Sequence, residues 1–239
     1  MHQVASLDIS CLLYINSFVG HSALFDKTML KVNDLSLLKT GLFAAYFYYI
    51  WFRREDWAWD RRFVLRALLG VAIAIVVSRA MQELLPARVR PMFESSLHLT
   101  LPAALNTELL FDANSFPSDT TALATALATA IFMDNRLAGL LAAILVVTAT
   151  IATKLYLGYH YPSDILGGIL IGVSAVVVAQ RLYIPNAVWQ GVLRVHDAYR
   201  GLFYAAMFIA IWQIATLFND LRLIGRGVLE VLGVAAGHF

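Results

Sequence analysis

The apolar run from Phe63 to Leu85, FVLRALLGVAIAIVVSRAMQELL, is long enough to cross a bilayer, and it is one of several in the chain. A hydrocarbon core about 30 Å thick needs roughly 20 residues in helical form, because backbone polar groups in lipid must be satisfied within their own segment. Runs at 36–52, 63–85, 136–156 and 162–182 meet that need, 119–133 is shorter but extendable at either end, and 201–218 follows a polar stretch. The pattern predicts an all-α fold, a polytopic membrane bundle of about six transmembrane helices. Residues 4–19 and 220–236 are helical in pattern but broken by polar groups, and read as helices lying in the interface. Hydrophobic residues make up 60% of the chain and charged residues 14%, which excludes an ordinary soluble domain.

A net charge of +2, with basic residues scattered between apolar runs, gives no surface for a nucleic-acid partner. Cys11 is the only cysteine, so no intrachain disulfide can form. The first residues, MHQVASLDISCLLYINSF, lack a basic stretch followed by an apolar core and a cleavage site, and no cleaved signal peptide is expected. No repeat or linker divides the chain, so residues 1–239 are read as one membrane-embedded domain. Arg53, Arg54, Arg61, Arg62, Arg136, Arg181, Arg194 and Arg200 all fall in connections on one side, which should be cytoplasmic. The loop 86–118 and the turn 157–162 are then extracytoplasmic.

Three polar clusters fall on that outer side. PARVRPMF carries Arg88 and Arg90, NSFPSDTT puts Ser118 and Asp119 at the start of a helix, and TKLYLGYHYPSD holds Lys154, His160 and Asp164. Two arginines, a lysine and a helix N-terminus at one membrane face suit an oxyanion such as phosphate. Singly, each feature has an ordinary reading. Lys154 can snorkel to the interface, the arginines can bind headgroups, Ser118 or Asp119 can cap a helix, and His160 with Asp164 can be a local hydrogen bond. Their joint occurrence favours a site.

Spaced in this way, the residues resemble the signature of the type 2 phosphatidic acid phosphatase and vanadium haloperoxidase superfamily: K-x6-R-P, then P-S-G-H, then S-R-x5-H-x3-D. The likeness spans about residues 83–164, the motif core. Thr153, Lys154, His160 and Asp164 keep the spacing of the third part, Tyr156 and Gly158 fit its filler, and RVRP fits the end of the first. SFPSD resembles the bacitracin-resistance type of undecaprenyl-pyrophosphate phosphatase. Glu83 stands where the first lysine is expected, Thr120 where the second-motif histidine is expected, and Thr153–Lys154 replace Ser–Arg. Arg79, one turn before Glu83, is placed to reach the same region or to neutralise it.

The resemblance implies that His160 attacks phosphorus to form a phosphohistidine while Asp164 orients its other ring nitrogen. Arg88, Arg90, Ser118, Asp119 and Lys154 would surround the phosphate, with Arg79, Thr120 and Thr153 as auxiliaries. No metal or other cofactor is implied. The family's histidine at position 120 is the proton donor to the leaving group, and its loss does not affect all substrates equally. An alkoxide leaving group resembles strongly basic hydroxide, whereas a phosphate monoester leaves with a conjugate-acid pKa of about 6, so a diphosphate needs the acid least. His98 either supplies the missing proton or is simply solvated. Three readings follow: a membrane phosphatase of a lipid phosphate or polyprenyl diphosphate at the extracytoplasmic face, a lipid phosphotransferase using the same histidine, or a degenerate, non-catalytic phospholipid-binding protein.

Overall fold

Alanine and threonine dominate the helix at the centre of the structure, α5 (Asp119–Asp134), and 11 of its 16 residues are buried. Small side chains on every face let neighbouring helices approach closely, which is how helices associate where lipid removes the hydrophobic drive. The computed structural model describes residues 2–53, 58–105 and 114–216, and the regular elements among them are all helical. Before α5 come α1 (His2–Asn16), α2 (Ala23–Asp34), a π-helical turn (Leu37–Gly41) continuing into α3 (Leu42–Phe52), and α4 (Ala58–Leu84). After it come α6 (Arg136–Leu145), a second π-helical turn (Val146–Ile151) leading into α7 (Ala152–Tyr156), then α8 (Pro162–Arg181), α9 (Asn186–Ala198) and α10 (Arg200–Ala215).

The closest packing is between α5 and α8. A methyl group at Gly172 would lie 2.2 Å from Thr125 Oγ1 and 2.4 Å from the Ala122 carbonyl oxygen, and one at Gly168 would lie 2.5 Å from the Ser118 carbonyl oxygen. This Gly-x3-Gly contact sets the start of α5 beside the start of α8, where Ser118 N–H donates to the Asp164 carbonyl at 3.1 Å. The other end of α5 is pinned by charge. Arg53 Nη2 lies 2.6 Å from Asp134 Oδ1 and 2.9 Å from Asp60 Oδ1, and Tyr46 OH donates to Asp134 Oδ2 at 2.9 Å.

Polarity is turned inside out relative to a water-soluble bundle. Leu137, Leu140, Leu141, Ile144 and Val147 are exposed at the three-four spacing of one helix face, as are Leu166, Leu170 and Val173 on α8. Ser118, Thr121, Thr150, Thr153, His160 and Asp164 are buried. Three helices among the described residues are long and apolar enough to cross a membrane: Trp59–Leu84, Arg136–Tyr156 and Pro162–Arg181. Arg200–Ile214 is apolar but shorter, and α5 stops at Asn135 without the extension the sequence allowed. Helix length therefore establishes the membrane bundle but not a count of six spans. Because α5 is wrapped by protein, bilayer thickness does not fix its length.

The run at 4–19, expected to lie in the interface, forms α1, which packs on α7 and α8. Asn16 fastens it to the loop after α4, donating to the Thr100 carbonyl at 2.8 Å and accepting from Thr100 N–H at 2.9 Å. The polar stretch before 201 is itself helical, as α9. Arg54 and the run at 220–236 lie outside the described residues.

Candidate active site

The loop after α4, the segment before α5 and the turn between α7 and α8 are stitched together by backbone bonds. Met92 N–H donates to the Gly158 carbonyl at 2.9 Å, and Ser115 N–H to the Arg88 carbonyl at 2.9 Å. Gly158 has φ +68°, a left-handed conformation that suits glycine, and a Cβ there would press on Leu99 at 3.3 Å. The turn that presents His160 depends on this residue.

The His160 ring is 2% exposed and held at both nitrogens. Nδ1 lies 2.9 Å from the Ser115 carbonyl oxygen, which can only accept, and Nε2 lies 3.2 Å from Arg90 Nη1, which can only donate. The bonding pattern therefore assigns the proton to Nδ1 and a lone pair to Nε2, facing Arg90. Arg90 is itself buried and also donates from Nη1 to the Tyr159 carbonyl at 3.1 Å. Burial lowers its pKa, an effect opposed by Asp119 and Asp164.

Asp164 has no solvent exposure, and its Oδ2 lies 3.7 Å from His160 Nδ1, farther than the Ser115 carbonyl. It accepts from Ser115 Oγ at 2.5 Å, from Tyr161 N–H at 2.8 Å and from Arg88 Nη1 at 2.6 Å. Asp164 thus orients the ring mainly through Ser115 and the turn backbone. Arg88, expected on phosphate, is committed to carboxylates instead. Its Nη2 donates to Asp8 Oδ2 at 2.7 Å, its Nη1 also reaches Ser163 Oγ at 2.7 Å, and its guanidinium lies 4.0 Å from the Tyr161 ring centre. Asp8 in turn accepts from Ser163 N–H at 2.8 Å and Ser163 Oγ at 2.5 Å. A continuous chain, Asp8–Arg88–Asp164–Ser115–His160, links α1 to the imidazole.

The second motif is arranged around a carboxylate. Asp119 pairs with Arg79 and accepts from Thr120 N–H at 2.6 Å and Thr120 Oγ1 at 3.3 Å. Asp119 thereby brings Arg79 to the site, while Glu83 is exposed. Ser118 Oγ is buried against Thr121 Oγ1 at 2.9 Å. Thr153 Oγ1 donates to the Ala149 and Thr150 carbonyls at 2.9 and 3.0 Å, within its own helix. Lys154 Nζ sits 4.7 Å from the Tyr159 ring centre. His98 is exposed in the loop, with left-handed φ of +47°.

Sequence reasoning missed Asp8, Ser115 and Ser163. Asp8 was visible as an acidic residue in an apolar run, the kind of intramembrane charge that needs a partner. Ser115 lay inside the quoted NSFPSD stretch, but nothing local marked it apart from Ser118.

Burial lowers the His160 pKa, only partly opposed by the hydrogen-bonding influence of Asp164. The ring therefore stays neutral to lower pH than an ordinary histidine. If neutral His160 is required for turnover, the acid limb of kcat/KM should have its midpoint below 6.5. The measurement needs the substrate's own ionisation determined in parallel. A midpoint at or above 6.5 would contradict the assignment.

A neutral, oriented imidazole faces a buried arginine across 3.2 Å, and the stretch of sequence that builds this arrangement also matches a family profile. The PAP2 superfamily profile matches residues 64–188, more than half of the chain, and the chain belongs to that superfamily. It is 32% identical over 133 residues to the putative undecaprenyl-diphosphatase YbjG of Escherichia coli (strain K12), a match covering 53% of this chain and 62% of that protein. The chain thus spans somewhat under two thirds of the length of that curated relative. The crystal structure of the first transmembrane PAP2-type phosphatidylglycerolphosphate phosphatase from Bacillus subtilis superposes with a TM-score of 0.56 at 19% identity, covering 75% of this chain and 86% of that one. That likeness shows the fold. Asp8, Lys39 and the rest of α1–α3 lie outside the profile match.

Proposed function

We propose that this protein is a membrane phosphatase that transfers a phosphoryl group from a lipid phosphate or polyprenyl diphosphate to His160 Nε2 and then to water. The observation that carries the reading is the lone pair of Nε2, fixed by the Ser115 carbonyl on the opposite nitrogen and aimed at the Arg90 guanidinium 3.2 Å away. An entering phosphate takes over the Arg90 donor and presents phosphorus to the nitrogen. Arg90, Lys154 and the N-terminus of α5 neutralise the charge on the equatorial oxygens, where catalysis of phosphoryl transfer chiefly acts. Asp164 and Ser115 stabilise the ring as it gains positive charge.

Thr120 favours diphosphates over monoesters. Its hydroxyl turns to Asp119, and no imidazole stands there to protonate a leaving alkoxide. A leaving phosphate does without one. The name of the E. coli relative agrees with that choice. The test is phosphate release by the purified chain in detergent, comparing farnesyl diphosphate with farnesyl phosphate and phosphatidic acid. Preferred release from the diphosphate is expected, and Thr120→His should raise monoester cleavage more. No release from any lipid, with transfer of label to an added alcohol, would replace the hydrolase by a phosphotransferase.

We further infer that the site faces the extracytoplasmic side. Arg53 sits at the end of α5 opposite Ser118, and the arginine-rich connections share that far end. In a Cys11→Ser background, needed because Cys11 is exposed, Ser96→Cys should react with an impermeant thiol reagent on intact cells. Labelling only after permeabilisation would reverse the orientation.

A further inference from the structure

At the end of the bundle opposite His160, Arg61, Arg62 and Arg66 line the first turns of α4. Arg53 bridges Asp60 and Asp134 there, which sets the start of α4 beside the far end of α5. Arg61 is taken up locally. Its guanidinium carbon lies 5.2 Å from the Trp51 ring centre, and its Nη1 lies 3.5 Å from His196 Nδ1. Arg62 and Arg66, one helical turn apart, converge instead on a single indole. Their guanidinium carbons lie 5.8 and 5.3 Å from the ring centre of Trp189 on α9, which is itself buried.

An indole face attracts a guanidinium without engaging its N–H donors. Among the described residues, neither Arg62 nor Arg66 forms an ion pair with a carboxylate. Arg62 makes no hydrogen bond to the protein through its guanidinium, and Arg66 makes one, from Nη2 to the Leu182 carbonyl at 3.3 Å. The Nε atom of each is buried and meets no acceptor. Two like charges at this spacing repel, and the protein sets no anion between them. Both side chains are partly exposed, so their remaining Nη donors are open to an acceptor from outside the chain.

Their level in the bilayer says what that acceptor is. The candidate span of α4 begins at Trp59 and that of α8 ends at Arg181, so Arg62 and Arg66 sit roughly 5 and 10 Å along α4 from the end of its span. The same face of α4 continues through Leu69 and Val76, both exposed, toward the middle of the span. α9 leaves α8 at this level, buries Trp189 and His196, and exposes Val188 and Val195, as a helix lying in the interface does. Snorkelling carries an arginine singly to water, but does not account for two held against one buried ring above an apolar stripe.

We propose that Arg62, Arg66 and Trp189 form a binding site for the phosphate of an anionic phospholipid headgroup, at the membrane face opposite the His160 site. The phosphate oxygens accept from the open Nη donors, a geometry that guanidinium and phosphate share. The acyl chains then lie along Leu69 and Val76. The site is separate from the catalytic chemistry and stands whether or not the chain is a phosphatase.

The test compares thermal unfolding and retained lipid, the latter by native mass spectrometry, for the protein in nanodiscs of phosphatidylcholine alone or mixed with phosphatidylglycerol. Phosphatidylglycerol should raise the unfolding midpoint and be retained in preference to phosphatidylcholine. Arg62→Gln/Arg66→Gln removes two charged contacts and should lower that preference by at least about tenfold. Arg62→Gln alone, which breaks no hydrogen bond within the protein, should show a smaller fall and keeps the test readable if the double variant does not fold. Arg181→Gln removes an exposed arginine at the same level but away from the indole, and should leave the preference intact. Inorganic phosphate added to phosphatidylcholine nanodiscs should not stabilise the protein. A wild type without the preference, a preference unchanged in Arg62→Gln, or an equal fall in Arg181→Gln would overturn the site. Stabilisation by inorganic phosphate as large as that by phosphatidylglycerol would overturn its assignment to a lipid.

Discussion

His160→Gln is expected to reduce phosphate release by about 10⁴-fold or more, the scale on which enzymes lose rate when a covalent nucleophile is removed. Glutamine is close to histidine in volume and keeps polar atoms to meet the Ser115 carbonyl and Arg90, so the buried pocket is not left with an empty cavity. The protein should therefore elute as the wild type does on size exclusion and melt within a few degrees of it. Residual activity within about tenfold of wild type would show that the imidazole is not the attacking group. A collapse of the fold would direct attention to Asn in place of Gln, with the same expectation for rate.

Asp8→Ala is expected to slow turnover through a group that never touches substrate. Asp8 is buried and accepts three hydrogen bonds, from Ser163 N–H, Ser163 Oγ and Arg88 Nη2. Alanine leaves the first turn of α8 and half of the Arg88 fork without an acceptor, and Arg88 is then free to turn away from Asp164. Because Arg88 is about one third exposed, water recovers part of the loss, and destabilisation of about 1–3 kcal/mol is expected. The catalytic effect should be about tenfold or more in kcat with little change in KM, since the chain acts on the orientation of His160 rather than on binding. Asp8→Glu should recover part of the rate. A fall in thermal stability with no change in kcat would reduce Asp8 to a purely structural anchor for α1.

These two residues show how far the sequence could be read. His160 and Asp164 are three intervening residues apart, and Lys154 precedes His160 by a fixed interval, so local spacing alone exposed them. Arg88 and Arg90 looked equivalent, yet Arg90 turns to His160 and Arg88 to two carboxylates. The difference is set by Asp8, 80 positions away, and Asp164, 76 positions away, and no local pattern contains them. The membrane bundle was legible because a helix in lipid must satisfy its own backbone. The span count was less so, because α5 takes its length from the protein around it. Polar residues in the 4–19 run suggested an interfacial helix, whereas Asp8 and Asn16 are the groups by which α1 is fastened to the site. Glu83 and Thr120 looked like losses. Arg79 on Asp119 fills the neighbourhood of the first, and the second would shape the choice of leaving group in the proposed reaction.

The most direct measurement is rapid-quench trapping of the protein with farnesyl diphosphate carrying ³²P in the terminal phosphoryl group, followed by alkaline digestion and mass mapping. Acid-labile, base-stable label on His160, formed and consumed within a turnover and missing from His160→Gln, is the expected result. Turnover of the labelled lipid with no protein-bound phosphate at any quench time, or label on another residue, would contradict the assignment of His160 as the nucleophile.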